Sequence, residues 1–232
     1  MNAPTTGLTQ AAAATGKPKT ISRQLAEFVE GFSYDAIPES IRRRAKSLIL
    51  DAVGIALAST QYDFSHRTLS GIRSLGGSGD CSVIGMKERL PLRDAVLMNG
   101  VLVHGLDYDD THIRAIVHPT ASAFVCALSV AEQLGCSGRD LLTAYILGVE
   151  IVTRICDAAK GHFHDFGFHP TGIGAHFSCA LQTGWLHGMT AEQLVMAQGL
   201  AGSTAAASQE FLDEGAWNNR LHPGWAAVAG IT

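Results

Sequence analysis

Residues 99–120, NGVLVHGLDYDDTHIRAIVHPT, join two apolar segments through a polar middle, and the rest of the chain is organised around them. The upstream apolar run covers residues 95–103 and the downstream run covers residues 121–131. Imidazole and carboxylate groups beside segments that favour burial are costly unless they are paired or used. We therefore expect the chemistry of the protein here. The groups concerned are His104, Asp107, Asp109, Asp110, His112 and His118.

Outside this stretch the apolar residues recur mostly with the 3.6-residue period of a helix. Pro38 and Pro91 stand where the first turn of a helix tolerates proline, and capping patterns begin at Ser137 and Thr190. There is no βαβ alternation and no internal repeat, so the predicted fold class is all-α, a bundle of antiparallel helices. The predicted helices cover residues 21–32, 38–59, 65–75, 91–107, 119–134, 137–160, 169–188 and 190–207, and residues 81–85 are strand-like.

The composition limits the class of protein and its partners. The 232 residues carry a formal net charge of −4, and 47% of them are apolar while only 16% are charged. No basic cluster exceeds residues 42–44, so we predict no nucleic-acid partner. No apolar run approaches the roughly 20 residues of a membrane helix, so we predict no membrane partner. The low charge combined with an apolar excess favours an interface with a second copy, that is, a homodimer.

The cysteines and the two ends of the chain indicate location and domain organisation. The five cysteines are scattered and show no CxxC spacing, which predicts a reducing, cytoplasmic location without disulfides. The N-terminus lacks a hydrophobic signal core, so we predict a disordered tail at 1–20 and a helical domain at 21–232. Residues 223–232, PGWAAVAGIT, resemble the first turns of a helix without a stop signal. We therefore expect this domain to be truncated at its C-terminus.

Three interpretations fit the histidines and aspartates between residues 104 and 118. These side chains suit zinc, iron or manganese, but their spacing matches neither the helical His-x₃-His pattern nor an EF-hand. Histidine titrates near neutrality and carboxylates can orient it, which suits general acid–base chemistry. Alternatively, Asp110, Thr111 and His118 cap helices. For single residues the capping role stays open, whereas the cluster as a whole favours acid–base chemistry without a metal.

Several ordered motifs carry a resemblance to one family. NGVLVHGLDYDDTH, followed by HPTAS, resembles the signature of the MmgE/PrpD family. The resemblance continues through GRDLLTAYILGVEIVTRI, GFHPTGIGAHFSCAL and RLHPGWAA, and so covers nearly the whole chain after the tail. The family includes 2-methylcitrate dehydratases, cis-aconitate decarboxylases and related enzymes of small polycarboxylates. It implies a large all-helical domain, a smaller α+β lid domain that this chain lacks, a homodimer, and a site between the domains that uses no metal and no other cofactor.

The resemblance also implies catalytic residues. The family's site aspartate and threonine fall on Asp107 and Thr111, and its loop histidine falls on His118. A histidine can take the proton alpha to a substrate carboxylate or return one to a carbanion-like carbon. Asp107 would orient a partner, and Thr111 would hydrogen-bond a carboxylate.

Substrate binding is expected at His169, Arg220 and His222, in the FHP and RLHP motifs. The guanidinium of Arg220 can grip a carboxylate in a bidentate manner. The chain departs from the family pattern at two positions. Decarboxylase-type members carry a histidine where this chain has Asp157, and many members carry a lysine where it has Asn219. These departures weaken the case for a decarboxylase.

The sequence thus predicts a lyase that acts on a small polycarboxylate by metal-free acid–base elimination, as in dehydration of a 2-methylcitrate-like substrate. An isomerase or epimerase that uses the same alpha-proton abstraction remains an alternative. A second alternative, from a different class, is an inactive helical fragment that dimerises or binds a ligand. Metal-dependent hydrolysis is a weaker third one.

Overall fold

The structure, a computed structural model, describes residues 18–232. Most of the predicted tail at 1–20 lies outside the described residues. Eleven α-helices and two short strands follow one another in the described part of the chain, with bounds as follows. They are α1 Ile21–Glu30, α2 Glu39–Ser59, α3 Asp63–Leu75, β1 Cys81–Ser82, β2 Arg89–Leu90, α4 Leu92–His104, α5 Pro119–Leu134, α6 Gly138–Ala158, α7 His162–Asp165, α8 Pro170–Leu186, α9 Ala191–Thr204, α10 Phe211–Glu214 and α11 Asn218–Ile231.

The all-α prediction is confirmed, with small differences. The two strands pair antiparallel, with Cys81 opposite Leu90, and they form a two-residue ladder instead of the longer strand-like piece expected at 81–85. Helix α11 begins at Asn218, earlier than the motif PGWAAVAGIT suggested. Both capping boxes are present, from Ser137 to Asp140 and from Thr190 to Gln193.

Helices α5 and α8 form the centre of the molecule. Most of their residues are buried, and many of them are alanine, glycine, serine or threonine. Helix α8 packs against α5, α6, α9 and α11, while α5 also packs against α4 and α6. Small side chains let these helices approach closely, and burial of the apolar residues between them is the main force that stabilises the bundle.

A glycine pair sets the crossing of α4 and α11. A Cβ atom on Gly100 would collide with the backbone of Gly224, at 2.6 Å from its amide nitrogen. Because backbone atoms cannot move aside as a flexible side chain can, the two helices reach this distance only with glycine at both positions. The crossing holds α11 against α4, whose C-terminal end leads into the histidine- and aspartate-rich loop.

The same three residues, His-Pro-Thr, mark the start of both central helices, and in each case the proline is the first helical residue. His118 precedes Pro119 at the start of α5, and His169 precedes Pro170 at the start of α8. Proline fits the first helical position because the amide that it lacks would have no partner there. The amide of His118 donates a hydrogen bond to Oγ1 of Thr171 at 3.1 Å. The starts of both helices are thereby joined, and the residues that precede them meet.

Over residues 18–232, no helix combines the length and the apolar character that crossing a bilayer requires.

Candidate active site

A cavity of about 170 Å³ lies where α5 and α8 begin. The loop after α4 forms one side of it, and residues from the α7 region, α10 and the start of α11 form the other. This volume is well below the roughly 300 Å³ at which drug-sized pockets start, so the cavity suits a small molecule. The lining residues are His104, Asp107, Thr111, Ile116, His118, His164, His169, Pro170, Gln209, Phe211, Leu212 and Asn219.

The most buried polar pair beside the cavity is His104 with Asp109. The imidazole of His104 is 1% exposed, and its Nδ1 lies 3.0 and 2.9 Å from the two carboxylate oxygens of Asp109. An ionised carboxylate only accepts hydrogen bonds, so Nδ1 of His104 carries the proton that it donates. The Nε2 atom of His104 is buried and has no hydrogen-bond partner among the described residues.

The three predicted catalytic residues lie together at the cavity. Nδ1 of His118 is 3.3 Å from Oγ1 of Thr111, and its Nε2 is 3.9 Å from a carboxylate oxygen of Asp107. Asp107 adopts a left-handed backbone conformation with φ of 57°, which aspartate tolerates better than most residues. This turn directly after α4 places the Asp107 carboxylate beside the His118 ring. The structure therefore brings these residues together, while their chemical roles remain predictions.

Two further histidines form a buried pair. Nδ1 of His169 lies 3.0 Å from Nδ1 of His222, so one ring donates and the other accepts. Burial, reinforced by the neighbouring imidazole of His104, lowers the pKa of His169 to about 2. Burial likewise lowers the pKa of His222 to about 4. Both rings are neutral at pH 7, and they offer hydrogen bonds instead of positive charge. His169 lines the cavity, whereas His222 is not among the lining residues and contacts the His169 ring.

The position of Arg220 differs from the expectation drawn from the sequence. Its Nε donates to the carbonyl oxygen of Gly105 at 2.8 Å, and its guanidinium carbon lies 4.8 Å from the ring centre of Phe64. These contacts hold the guanidinium away from the cavity, and Arg220 is not among the lining residues. The neighbouring Asn219 lines it instead.

Asp157, the other departure from the family pattern, also lies outside the lining. Its carboxylate accepts a hydrogen bond from the guanidinium of Arg114 at 2.8 Å. This contact is a partly exposed ion pair, so it contributes little to stability. Asp157 therefore has a structural partner of its own in the described part of the chain.

Sequence reasoning missed several residues of the site. The sequence placed His104 and Asp109 in the polar cluster but predicted no specific role for them. Only the tertiary structure shows which histidine is buried against which carboxylate. His164 and Gln209, whose Nδ1 and Nε2 atoms are 2.6 Å apart, come from segments too short to show a periodic pattern. An isolated bridge between Phe168 and Ser208 brings these segments together.

Four of these side chains could hold a metal ion. His104, Asp107, Asp109 and His118 can each present one ligand atom so that all four atoms lie within 4.8 Å of one another. Imidazole and carboxylate donors of this kind suit zinc, iron or manganese. The hydrogen bond between His104 and Asp109 also fits a metal-free acid–base pair, so the donor set alone does not choose between the two.

The fixed charge in the cavity lining is negative. Among the described residues that line it, Asp107 is the one carboxylate and none is lysine or arginine. Helices α5 and α8, of 16 and 17 residues, both begin at lining residues. The N-terminus of a helix carries a partial positive charge and favours anions. At α5 the Asp110 carboxylate already accepts a hydrogen bond from the Thr120 amide at 3.2 Å, so the start of α8 is the helix end that can favour a substrate carboxylate.

Comparison with known proteins agrees with the motifs. The protein-family model that describes the MmgE/PrpD N-terminal domain matches residues 23–232. The chain is 26% identical over 230 residues to cis-aconitate decarboxylase from Aspergillus terreus, covering 97% of this chain and 47% of that protein. It is 28% identical over 220 residues to cis-aconitate decarboxylase from Homo sapiens, covering 92% of this chain and 45% of that protein.

The corresponding figures for cis-aconitate decarboxylase from Mus musculus are 27% over 220 residues, with 92% of this chain and 44% of that protein covered. The chain thus spans about half the length of the curated relatives that it matches. The family match extends over nearly all of the described residues and includes each of the motifs around the cavity. This chain belongs to the MmgE/PrpD family.

Proposed function

We propose that this chain carries the proton-transfer site of a lyase that acts on a small polycarboxylic acid, with dehydration of a 2-methylcitrate-like substrate as the leading case. One observation carries the proposal. Asp107, Thr111 and His118 meet at a small cavity formed where the two central helices begin. The similar proteins named above are cis-aconitate decarboxylases, and these names support chemistry at a carbon close to a carboxylate.

The cavity favours a small acid as substrate. Its volume of about 170 Å³ suits a small molecule. The N-terminus of α8 favours a carboxylate group, and the neutral His169 ring can donate a hydrogen bond to it. Thr111 adds a hydroxyl group to the same lining.

Elimination needs a group that removes a proton and a group that returns one. His118 is placed for such a transfer because it lines the cavity, is 21% exposed and has the Asp107 carboxylate beside its Nε2 atom. A nearby carboxylate stabilises the charged imidazolium that forms when the ring takes up a proton. A positioned acid or base contributes typically 10²- to 10⁴-fold in rate, on the order of 3–5 kcal/mol of barrier.

We propose dehydration in preference to decarboxylation. The chain has Asn219 at the position of a frequent family lysine, and the structure places Asn219 in the cavity wall. Without that cation, one substrate carboxylate is bound less tightly. Isomerisation or epimerisation through the same alpha-proton abstraction is distinguished by its products, since it releases neither water nor carbon dioxide.

A panel of citrate-like acids tests the proposal. The 232-residue chain is incubated with each acid, and ultraviolet absorbance is followed for new double bonds. We expect at least one hydroxylated acid to gain absorbance, and His118→Ala to abolish the change. Carbon dioxide release would instead identify a decarboxylase, and stereochemical exchange without either product would identify an isomerase.

A metal-dependent reaction is the second candidate, and the four donors within 4.8 Å of one another are the observation that favours it. We propose the metal-free reaction, in which Asp109 orients His104. Elemental analysis of the purified protein, combined with a chelator in the turnover assay, separates the two. A stoichiometric metal whose removal abolishes turnover would overturn the metal-free proposal.

A chain that binds the acid without converting it is the alternative from a different class. The observation behind it is that the chain spans about half the length of the curated relatives that it matches. We also propose that the chain forms a homodimer, as the family resemblance implies. Calorimetric binding of citrate without any turnover across the whole panel would favour the non-catalytic alternative.

A further inference from the structure

The site contains two histidines that can transfer protons, and their surroundings differ. His104 is 1% exposed and hydrogen-bonded to the buried carboxylate of Asp109. His118 is 21% exposed, with its Nε2 at 3.9 Å from the exposed carboxylate of Asp107 and its Nδ1 at 3.7 Å from the Asp109 carboxylate. The centres of the two rings are 5.0 Å apart, and both rings line the cavity. A small substrate bound in the cavity would therefore lie next to both rings.

The partner of His104 fixes its tautomer. Because the Asp109 carboxylate accepts from Nδ1, the neutral ring carries its proton on Nδ1 and has a free lone pair on Nε2. That Nε2 atom has no hydrogen-bond partner among residues 18–232. A buried nitrogen that lacks a partner is costly, so a group that a ligand brings to it gains binding energy.

The Asp109 carboxylate is well placed to stabilise a charged His104. It is itself 5% exposed, so little water competes for its oxygens. When Nε2 takes a proton, the resulting imidazolium keeps its hydrogen bond to a full negative charge in a low-dielectric setting. The same arrangement holds the ring in one orientation, which a base needs for directed proton transfer.

We propose that Nε2 of His104 is the proton acceptor of the elimination, that Asp109 is its positioning residue, and that His118 is the proton donor. This assignment rests on the proposed function. Nε2 of His104 takes the proton of the C–H bond alpha to a carboxylate, and the two electrons of that bond form the new C=C bond. The adjacent C–O bond breaks, its electrons leave with the oxygen, and a proton from the His118 imidazolium completes a water molecule. Proton exchange with solvent then restores both rings.

The first test is a variant that removes Nε2 and keeps a hydrogen-bond donor in the place of Nδ1. In His104→Asn the amide nitrogen can still donate to Asp109, but no ring nitrogen remains to accept a proton. We expect kcat to fall at least about 100-fold, at the lower end of general-base contributions, while the circular dichroism spectrum stays that of the wild type. Turnover at the wild-type rate in this variant would overturn the assignment.

The chain offers a matched control in His176. This residue is also fully buried, its Nδ1 lies 2.7 Å from the Gly172 carbonyl oxygen, and its Nε2 has no described partner. It is not among the residues that line the cavity. We expect His176→Asn to keep kcat within about twofold among the folded molecules. An equal loss in both variants would show that buried histidines matter here only for packing.

The role of Asp109 has its own readout. Asp109→Asn removes the charge that stabilises the imidazolium, so we expect kcat to fall with little change in KM and the acidic limb of the kcat–pH profile to shift. A purely structural residue would lower the folded fraction and leave the shape of that profile unchanged, and this outcome would contradict the positioning role.

Nitrogen NMR separates this assignment from the proposed function. In the ¹⁵N-histidine-labelled chain, with His104→Asn used to identify the signals, we expect the Nδ1–H tautomer for His104 and a shift of its Nε2 signal when citrate is added. An Nε2–H tautomer, or no response to citrate, would overturn the assignment whether or not the chain is active. Absence of turnover in the wild type, with the expected tautomer and response, would instead count against the proposed lyase function.

Discussion

At the scale of single residues, the cavity is built from imidazoles in different protonation environments. His104 faces a buried carboxylate, His118 lies beside an exposed one, and His169 is paired with another neutral imidazole. Such separation of environments is what lets residues of one type act as base, donor and hydrogen-bonding group within one site. The proposed roles of these histidines rest on their hydrogen-bond partners and their burial, which the sequence alone does not show.

The buried pair of His169 and His222 predicts a pH dependence of stability. Burial lowers the pKa of His169 to about 2 and that of His222 to about 4, whereas the unfolded chain has histidine values near about 6.5. Between pH 6.5 and 4 the unfolded state binds more protons, so the free energy of unfolding falls as pH decreases, by up to about 1.4 kcal/mol per pH unit from His169. Urea unfolding at pH 7, 6 and 5 measures this slope.

His169→Gln provides the comparison for that slope. Glutamine keeps a hydrogen-bonding group toward His222 but does not titrate, so we expect a shallower decrease between pH 7 and pH 5 than in the wild type. A variant with the wild-type slope would show that the acid sensitivity arises elsewhere in the molecule.

The residue pair at the start of α11 shows the limit of sequence reasoning at this scale. The motif NNRLHP pointed to Arg220 as the cation of the site, yet Asn219 lines the cavity and Arg220 contacts Gly105. Successive helical residues point in directions about 100° apart, so a shift of one residue exchanges a cavity-facing side chain for another. By contrast, Asp107, Thr111 and His118 came together as the motif implied, because a short loop holds them close in sequence.

At the scale of elements, helices with caps and a clear period could be predicted, and short segments could not. The predicted span of 119–134 and the observed α5 are the same, since proline at its start and glycine after its end mark both boundaries. Helices α7 and α10 have four residues each, which is too few to show a period. These short helices contribute residues to the wall of the cavity, so the sequence could not predict that part of the site.

The glycine contact between α4 and α11 predicts an effect on stability. In Gly100→Ala the added methyl group meets the backbone of Gly224, so the two helices must separate. Overpacking of this kind costs about 1–3 kcal/mol of unfolding free energy. Since α11 carries Asn219 and His222, we also expect weaker citrate binding. Urea denaturation and calorimetry measure the two effects.

Gly71→Ala in α3 is the matched control. A Cβ at Gly71 meets no atom within 4 Å, and alanine is favoured over glycine inside a helix by about 0.5–1 kcal/mol. We therefore expect this variant to be at least as stable as the wild type. If both alanine variants had the same stability, the close approach of α4 and α11 would not be needed for the fold.

At the scale of the whole molecule, an apolar groove on α2 predicts self-association. The groove has a volume of about 700 Å³, includes Leu50, Ile55, Ala58 and Tyr62 in its lining, and leaves Leu50 73% exposed. Exposed apolar patches of this kind mark interaction sites, and the family resemblance implies a homodimer. We expect sedimentation equilibrium at micromolar concentrations to give about twice the chain mass of 24.5 kDa.

Leu50→Arg tests whether this groove forms the dimer interface. A charged side chain at that position would have to be desolvated in the interface, so we expect the variant to sediment as a monomer with an unchanged circular dichroism spectrum. A wild-type chain that is monomeric, or a variant that still dimerises, would contradict an interface on α2.

The central claim is that the cavity at the starts of α5 and α8 removes a proton alpha to a substrate carboxylate. Proton NMR in D₂O of citrate-like acids incubated with the chain measures this most directly, because it detects both a new double bond and deuterium at the alpha carbon. We predict that the wild type produces one of these changes in at least one acid, that His118→Ala forms no double bond, and that His104→Asn produces neither change. Unchanged acids with the wild type, or equal rates of double-bond formation for the wild type and His118→Ala, would contradict the account.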